Sequence, residues 1–404
     1  MSESPQGPAE LVLHKRILTC VGAGGVGKTT LAAALALTAA RSGRRALVIT
    51  IDPARRLADA LGVGALGNEP RAIPADLLRP LGVTGGGALF AMMLDMKRSF
   101  DDLVERFAES PEARDLILKN RIYQHVSDAL AGSAEYSAME KVFELSERLE
   151  YDLIVVDTPP SQHAFDFLEA PQRLLDFLDS RLVQLLLHPA FAAGRFGFRL
   201  FQRSAQRVLQ LLERISGLAF LEEISEFLLA FEGMSEGFRE RARRVRALLL
   251  GAESAFVLAA GPSAEAAQQA ALLLSRLEAA GVPLSGVIVN RVRTWPGDEE
   301  SPPPIAEGAD EPAALQALEQ ALAASRGARY PAKNAAQAAL AAIRTYAALV
   351  RSDLQALAPL RATVQTRGLF WRRVPELPHD VHDLEGVSRV ATALVQPCAE
   401  GKRG

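Results

Sequence analysis

The chain has 404 residues which, at roughly 150 per domain, allows two or three domains or one large domain with a big insertion. With 49% hydrophobic and 23% charged residues, the composition is that of a folded globular protein and excludes a disordered or collagenous chain. The net charge of -3 gives no electrostatic footprint for nucleic acid.

In chain order, Met1 to Glu10 is polar, without the basic start and apolar core of a secretory signal. Arg16 to Val21 reads as a first strand and Thr29 to Arg41 as an Ala- and Leu-rich helix. Ala46–Ile51 and Ala88–Leu94 follow as strands, then Leu153–Val156, Ala255–Ala259, Val287–Val289 and Leu369–Trp371. Such apolar runs suit strands buried on both faces, and their alternation with helices predicts an α/β fold with a mostly parallel sheet flanked by helices. Two long helical stretches, about 97–150 and 164–251, predict an inserted helical subdomain, with apolar stripes at Val208–Ile215 and Ile224–Met234. The stretch 295–312, with Pro302 to Pro304 and six acids, predicts a mobile linker. Ala-rich helices are expected from Ala313 to Leu357. The two cysteines, Cys20 and Cys398, lie at opposite ends of the chain and form no disulfide or metal-binding pattern. Each apolar run stops short of the 18 or so residues a membrane helix needs, so a cytoplasmic location is expected, peripheral to a membrane at most through a partner.

Gly22-Ala23-Gly24-Gly25-Val26-Gly27-Lys28-Thr29 fits G-x-x-x-x-G-K-[ST] and lies between a predicted strand and a predicted helix. This is the pattern of a P-loop NTPase. The glycines let backbone N–H groups converge on phosphate oxygens at a helix N-terminus, Lys28 reaches the β and γ phosphates, and the Thr29 hydroxyl can coordinate Mg²⁺. Gly24, Gly25, Val26, Gly27, Lys28, Thr29 and Thr30 are therefore the candidate nucleotide-binding residues. Asp52 and Asp157 each close a predicted strand and point from the carboxyl edge of the sheet, where a carboxylate can order the waters of a magnesium ion or orient the attacking water. Either aspartate could instead cap the next turn. Guanine recognition of the Asn-Lys-x-Asp type is missing, because Asn290-Arg291-Val292-Arg293 follows the strand. Adenine is expected instead, read by the donor and acceptor of the Asn290 amide.

Together these residues resemble the ArsA-type ATPases, the family of the arsenite-pump ATPase and of the ATPase that delivers tail-anchored membrane proteins. The resemblance rests on Gly24 to Thr30, Asp52-Pro53-Ala54-Arg55-Arg56-Leu57-Ala58-Asp59, Asp157 to Ala164, Val289-Asn290-Arg291 and Val374-Pro375-Glu376-Leu377. It implies one ATPase domain over about 14–404 and ATP with Mg²⁺ as ligands. It also implies catalytic roles for Lys28 and Asp52, metal roles for Thr29 and Asp157, and adenine flanked by Asn290 and Pro375. A nucleotide-driven dimer is implied as well, either a homodimer or a heterodimer with a related subunit, acting on a hydrophobic or membrane-protein client.

Three departures qualify this. Ala23 stands where the family carries a lysine that crosses to the partner's phosphates, which predicts slow turnover unless a related subunit or Arg55 or Arg56 substitutes. The zinc-binding cysteine pair and any arsenite-binding cysteine cluster are missing, so metalloid pumping is the weaker reading. The main alternative is a slow nucleotide-sensing scaffold or regulatory subunit, for which Ala23 and the arginines at 239, 241, 243, 244 and 246 would argue, although such a run is expected to be a solvated helix face. His163, six residues beyond Asp157, is expected to relay position or to pack.

Overall fold

The structure is a computed structural model that describes residues 7–52, 54–108, 110–120, 133–159, 239–296, 311–324 and 331–396, with a few isolated positions besides. In chain order the described elements begin with α1 (Pro8–His14), β1 (Ile17–Gly22), α2 (Lys28–Arg41), β2 (Arg45–Thr50) and α3 (Arg56–Ala60). Next come β3 (Arg71–Ala72), α4 (Ala75–Leu78), β4 (Ala88–Met93), α5 (Met96–Phe107), α6 (Pro111–Lys119), α7 (Ser133–Glu147) and β5 (Leu153–Asp157). A helix at 239–249, α8, leads to β6 (Ser254–Ala260), α9 (Ala264–Ala279) and β7 (Leu284–Val292). The last elements are α10 (Glu311–Ala324), α11 (Ala332–Thr366), β8 (Phe370–Pro375) and α12 (Leu384–Val395).

The strands form one sheet in the order β3-β4-β2-β5-β1-β6-β7-β8, parallel except for β3. All residues of β1, β5 and β6 are buried, as expected of strands covered on both faces. The sheet extends from β1 in both directions, toward β5 and β2 on one side and toward β6, β7 and β8 on the other. The edge beside β1 is therefore a topological switch point, where open α/β folds bind ligands. Gly22, Thr50 and Asp157 all reach that edge, and the pairings Cys20↔Asp157 and Thr50↔Asp157 fix their height.

Helix α2 is buried over most of its length, and its run of alanines lets it lie close to the sheet, with Leu31, Leu35 and Leu37 filling the space between. On the opposite face, α7 and α8 supply Met139, Val142, Phe143, Val245 and Leu249 to a second core. These C-terminal parts of the two long helical stretches thus pack on the sheet itself. The apolar stripes at 208–215 and 224–234, His163, and most of the expected linker at 295–312 lie outside the described residues. Among the described residues, no helix is long and apolar enough to cross a membrane.

Four expectations need adjustment. The predicted end of the Ala-rich region at Leu357 falls inside α11, which continues through Pro359 to Thr366. Proline removes one backbone donor, but Leu357, Leu360 and Val364 are buried at helical spacing against β6 and β7, and that burial outweighs the lost bond. β7 is longer than predicted, so Asn290 lies within the strand. Asp52 lies two residues beyond the end of β2. The arginine run is not uniformly solvated. Arg241 is buried, donates to Glu140 at 2.6 Å and to Glu147 at 2.9 Å, and lies over the Phe143 ring, while Arg244 also donates to Glu147. Exposed positions of the run, Arg243 and Arg246, fit the expectation.

Candidate functional site

Gly22 ends β1, and the chain turns back into α2 through Gly25 at φ 78° and Gly27 at φ 88°. Both values lie in the left-handed region that glycine enters without strain. Gly27 is the N-cap of α2 and brings no side chain to its first turn, so the first N–H groups of the helix are left for a ligand. A Cβ at Gly27 would lie 2.2 Å from the Asn290 Nδ2, so glycine is also needed for the approach of β7 to the loop.

Lys28 opens α2 and folds back over the loop, its Nζ donating to the carbonyls of Gly22 at 3.1 Å and Ala23 at 3.0 Å. Burial pushes its pKa down, while Asp157 and Asp52 oppose that shift. Thr29 donates its hydroxyl to Asp157 Oδ2 at 2.7 Å, and Thr50 donates to the same oxygen at 2.9 Å. The other oxygen, Oδ1, is buried without a protein partner. Burial raises the Asp157 pKa to about 6 against the pull of the two hydroxyls and of Lys28. Cys20, across the ladder from Asp157, is a buried free thiol held protonated by burial and by that carboxylate.

A buried carboxylate oxygen without a partner is costly unless a cation or an ordered water meets it. Among the described residues, no group of three His, Cys, Asp or Glu side chains is placed to hold a metal. Mg²⁺ takes one or two protein oxygens and keeps water and phosphate for its remaining positions. Thr29 and Asp157 fit such an ion, with Lys28 beside them.

Asp52 is placed differently. Its Oδ1 accepts the Ala54 N–H at 3.0 Å, and its Oδ2 lies 3.7 Å from Nη1 of Arg56 in the first turn of α3. It thus makes a turn cap, the plainer of its two expected roles, while remaining close enough to Lys28 and Asp157 to act on their charges. Asn290 is buried, and its Nδ2 donates to the Val26 carbonyl at 3.0 Å. One amide hydrogen is engaged there, and the second hydrogen and the amide oxygen remain. Thr30, Asn290, Pro375, Glu376, Leu377 and His379 line a cleft with Arg291. The structure therefore brings Gly27, Lys28, Thr29, Asp157 and Asn290 together at the sheet edge, with Thr30 and Pro375 in the adjoining cleft and Asp52 at its approach.

Sequence reasoning missed one participant, Thr50. A threonine ending an otherwise apolar strand was the available signal for Thr50. Of the two arginines expected to stand in for the absent loop lysine, Arg56 is the one that lies against Asp52.

A strand, a glycine loop with Lys and Thr, a helix, and an aspartate from the neighbouring parallel strand that accepts from that Thr define the P-loop class of nucleotide-binding α/β proteins. Residues 15–304 match the family of anion-transporting ATPases, and this chain belongs to that family. It is similar to ATPase GET3 of Podospora anserina, 33% identical over 40% of this chain and 46% of that protein. It is likewise similar to an uncharacterized protein of Streptomyces coelicolor, 35% identical over 45% of this chain and 42% of that one. The third relative is a putative arsenical pump-driving ATPase of Halobacterium salinarum, 30% identical over 42% of this chain and 26% of that one. The chain spans less than half the length of these relatives.

Proposed function

We propose that this chain binds ATP with Mg²⁺ and hydrolyses it, and that hydrolysis drives a dimeric conformational switch acting on a protein or hydrophobic client. The observation that carries the ATPase reading is the Asp157 carboxylate, buried with Oδ1 unpartnered, beside the Thr29 hydroxyl and the Lys28 ammonium at the N-terminus of α2. When bound, Mg²⁺ neutralises charge on the β and γ phosphate oxygens. Lys28 leaves the Gly22 and Ala23 carbonyls for those oxygens, and the N–H groups of the loop and of α2 hold the rest. Asp52 orients the attacking water once it turns from its cap on Ala54, and Asn290 and Pro375 hold adenine.

Family membership supports the ATPase activity on which a client-handling switch would draw. In that switch the helical residues of 97–150 and 164–251, apart from α7 and α8 that pack on the sheet, form the moving subdomain, the remainder of 14–404 the ATPase body and 295–312 a mobile linker. The same support extends to a homodimer or a pair with a related subunit, working in the cytoplasm or at a membrane through a partner. The slow scaffold reading keeps one argument, the methyl group of Ala23 where a cation would serve hydrolysis. It draws none from the arginine run, because Arg241 and Arg244 are paired with Glu140 and Glu147.

Steady-state hydrolysis of ATP and GTP, with and without Mg²⁺, tests the reading. ATP turnover that needs Mg²⁺ is expected, with GTP a poor competitor. Lys28→Ala should weaken ATP binding about ten- to a hundredfold, the size of a charge-assisted phosphate contact. Equal competition by GTP would remove the adenine assignment, and sedimentation showing a monomer with ATP bound would remove the dimer.

A further inference from the structure

β7 ends at Val292 after a break in its pairing with β8 between Val289 and Val292, and Arg291 within that break has φ 59°. The next residue, Arg293, reaches one side chain with two separate groups. Its backbone N–H donates to Asp353 Oδ2 at 3.0 Å, and its Nη1 donates to Oδ1 at 3.0 Å. Asp353 lies on the buried face of α11, at helical spacing from Val350 and Leu357, where an apolar side chain would pack at no desolvation cost. A carboxylate is tolerated there only when its oxygens are paired, and Arg293 pairs both.

The same guanidinium turns its Nε toward Glu376 Oε2, 3.4 Å away. Glu376 follows β8, donates its backbone N–H to the Val292 carbonyl at 2.9 Å, and stands in the cleft wall with Asn290 and Pro375. One arginine thus joins a buried position of α11 to the wall of the cleft. An apolar contact could hold α11 against the sheet equally well but could not specify this register, because a slip of the helix would cost Asp353 both bonds at once.

We propose that Arg293 is a positioning residue for the nucleotide cleft: anchored on Asp353, it holds Glu376 and the segment after β8 against β7, so that nucleotide affinity depends on the seating of α11. The inference rests on reading this cleft as the base end of an ATP site. It makes α11 an effector of nucleotide binding without touching the phosphate chemistry at Lys28 and Thr29.

The test is ATP binding to the full chain by calorimetry in Mg²⁺, together with KM and kcat. Arg293→Ala should raise Kd and KM about three- to tenfold and leave kcat within about twofold, the effect on binding alone of losing a contact of ordinary hydrogen-bond strength. Glu376→Gln leaves Asp353 paired and the fold intact, and should weaken ATP to a similar degree. The double variant should be no weaker than the weaker single one, because both substitutions break the same link. Arg293→Lys should recover only part of the affinity, since an ammonium cannot present the fork that reaches both carboxylates. Wild-type affinity in both Arg293→Ala and Glu376→Gln, or full additivity in the double variant, would overturn the proposal. If Arg293→Ala fails to fold, unchanged affinity in Glu376→Gln overturns it alone. A wild-type chain that binds no ATP would instead remove the reading of the cleft on which the proposal rests.

Discussion

The Thr29 hydroxyl donates to Asp157 Oδ2 at 2.7 Å and so ties the first turn of α2 to the last residue of β5. The bond uses the hydroxyl hydrogen and leaves the lone pairs of Thr29 Oγ1 open, while Asp157 keeps its Oδ1 open. Thr29→Ala should therefore bind ATP without Mg²⁺ much as the wild type does, yet lose roughly tenfold or more of the affinity gained on adding Mg²⁺. Thr29→Ser, which keeps the oxygen, should retain most of that gain. Titration of nucleotide at several Mg²⁺ concentrations measures it, and an undiminished Mg²⁺ effect in Thr29→Ala would remove Thr29 from the metal site.

The Asp157 pKa, raised by burial to about 6 from an ordinary 3.8, sets a pH dependence. Above pH 6 the carboxylate is ionised in both folded and unfolded chains, and folding carries the full cost of burying its charge. As pH falls from 6 toward 4 the folded chain takes up a proton before the unfolded one, so this cost disappears and stability rises. Asp157→Asn lacks the group. Without Mg²⁺ or nucleotide it should melt higher than the wild type at pH 8, with the gap closing by pH 4 and Mg²⁺-dependent binding lost throughout. A variant that melts lower at pH 8 would show that the two threonine hydrogen bonds outweigh desolvation.

Gly27 and Gly25 make a matched pair, since both sit at positive φ in the same loop but only Gly27 faces a neighbour. Gly25→Ala meets open space and should cost about 1 kcal/mol of backbone strain. Gly27→Ala adds a Cβ at 2.2 Å from the Asn290 Nδ2, must displace that amide, and should cost about 1–3 kcal/mol in total while weakening adenine binding. Chemical denaturation and ATP titration of the two variants separate these outcomes, and equal losses would mean that Asn290 does not depend on the loop.

The strands were legible because a parallel sheet covered on both faces writes itself as uninterrupted apolar runs, as in β1 and β6. The phosphate loop and Asp157 were legible because their chemistry is local to a strand end. What escaped depended on partners distant in sequence. β3 has two residues and is defined only by its pairing with β4. Arg241 looked solvated because Glu140 and Glu147 stand about a hundred positions earlier. Asn290 was placed after its strand because the irregularity that keeps β7 paired beyond it exists only in register with β8. The Ala-rich helices were expected to end at Leu357, and the burial of Leu360 and Val364 beyond Pro359 is what carries α11 further.

The remaining prediction concerns Arg56. Its guanidinium lies 3.7 Å from Asp52 and close enough to Lys28 for the two positive charges to oppose each other. Ala23, at the start of the loop, can supply no charge, so Arg56 is a cation already at hand to stabilise charge developing on the transferred phosphate. The same contact holds Asp52 in its cap on Ala54, and moving Arg56 toward phosphate would release that carboxylate to orient water. Both effects act in the transition state and neither in ground-state binding, so they should appear in kcat. Arg56→Ala is expected to leave the Kd for ATP within about threefold and to lower kcat about ten- to a hundredfold, the range for one charged contact to the transition state. Asp52→Asn should behave alike, and the double variant should lose less than the two losses combined, because the residues act as a pair. Ala23→Lys should raise turnover of the wild type and rescue part of Arg56→Ala if a cation near the loop is what limits the reaction. Single-turnover hydrolysis with saturating ATP measures the rate in each of these variants. Wild-type kcat in Arg56→Ala would leave the Asp52 ion pair as a local fastening of α3 and nothing more.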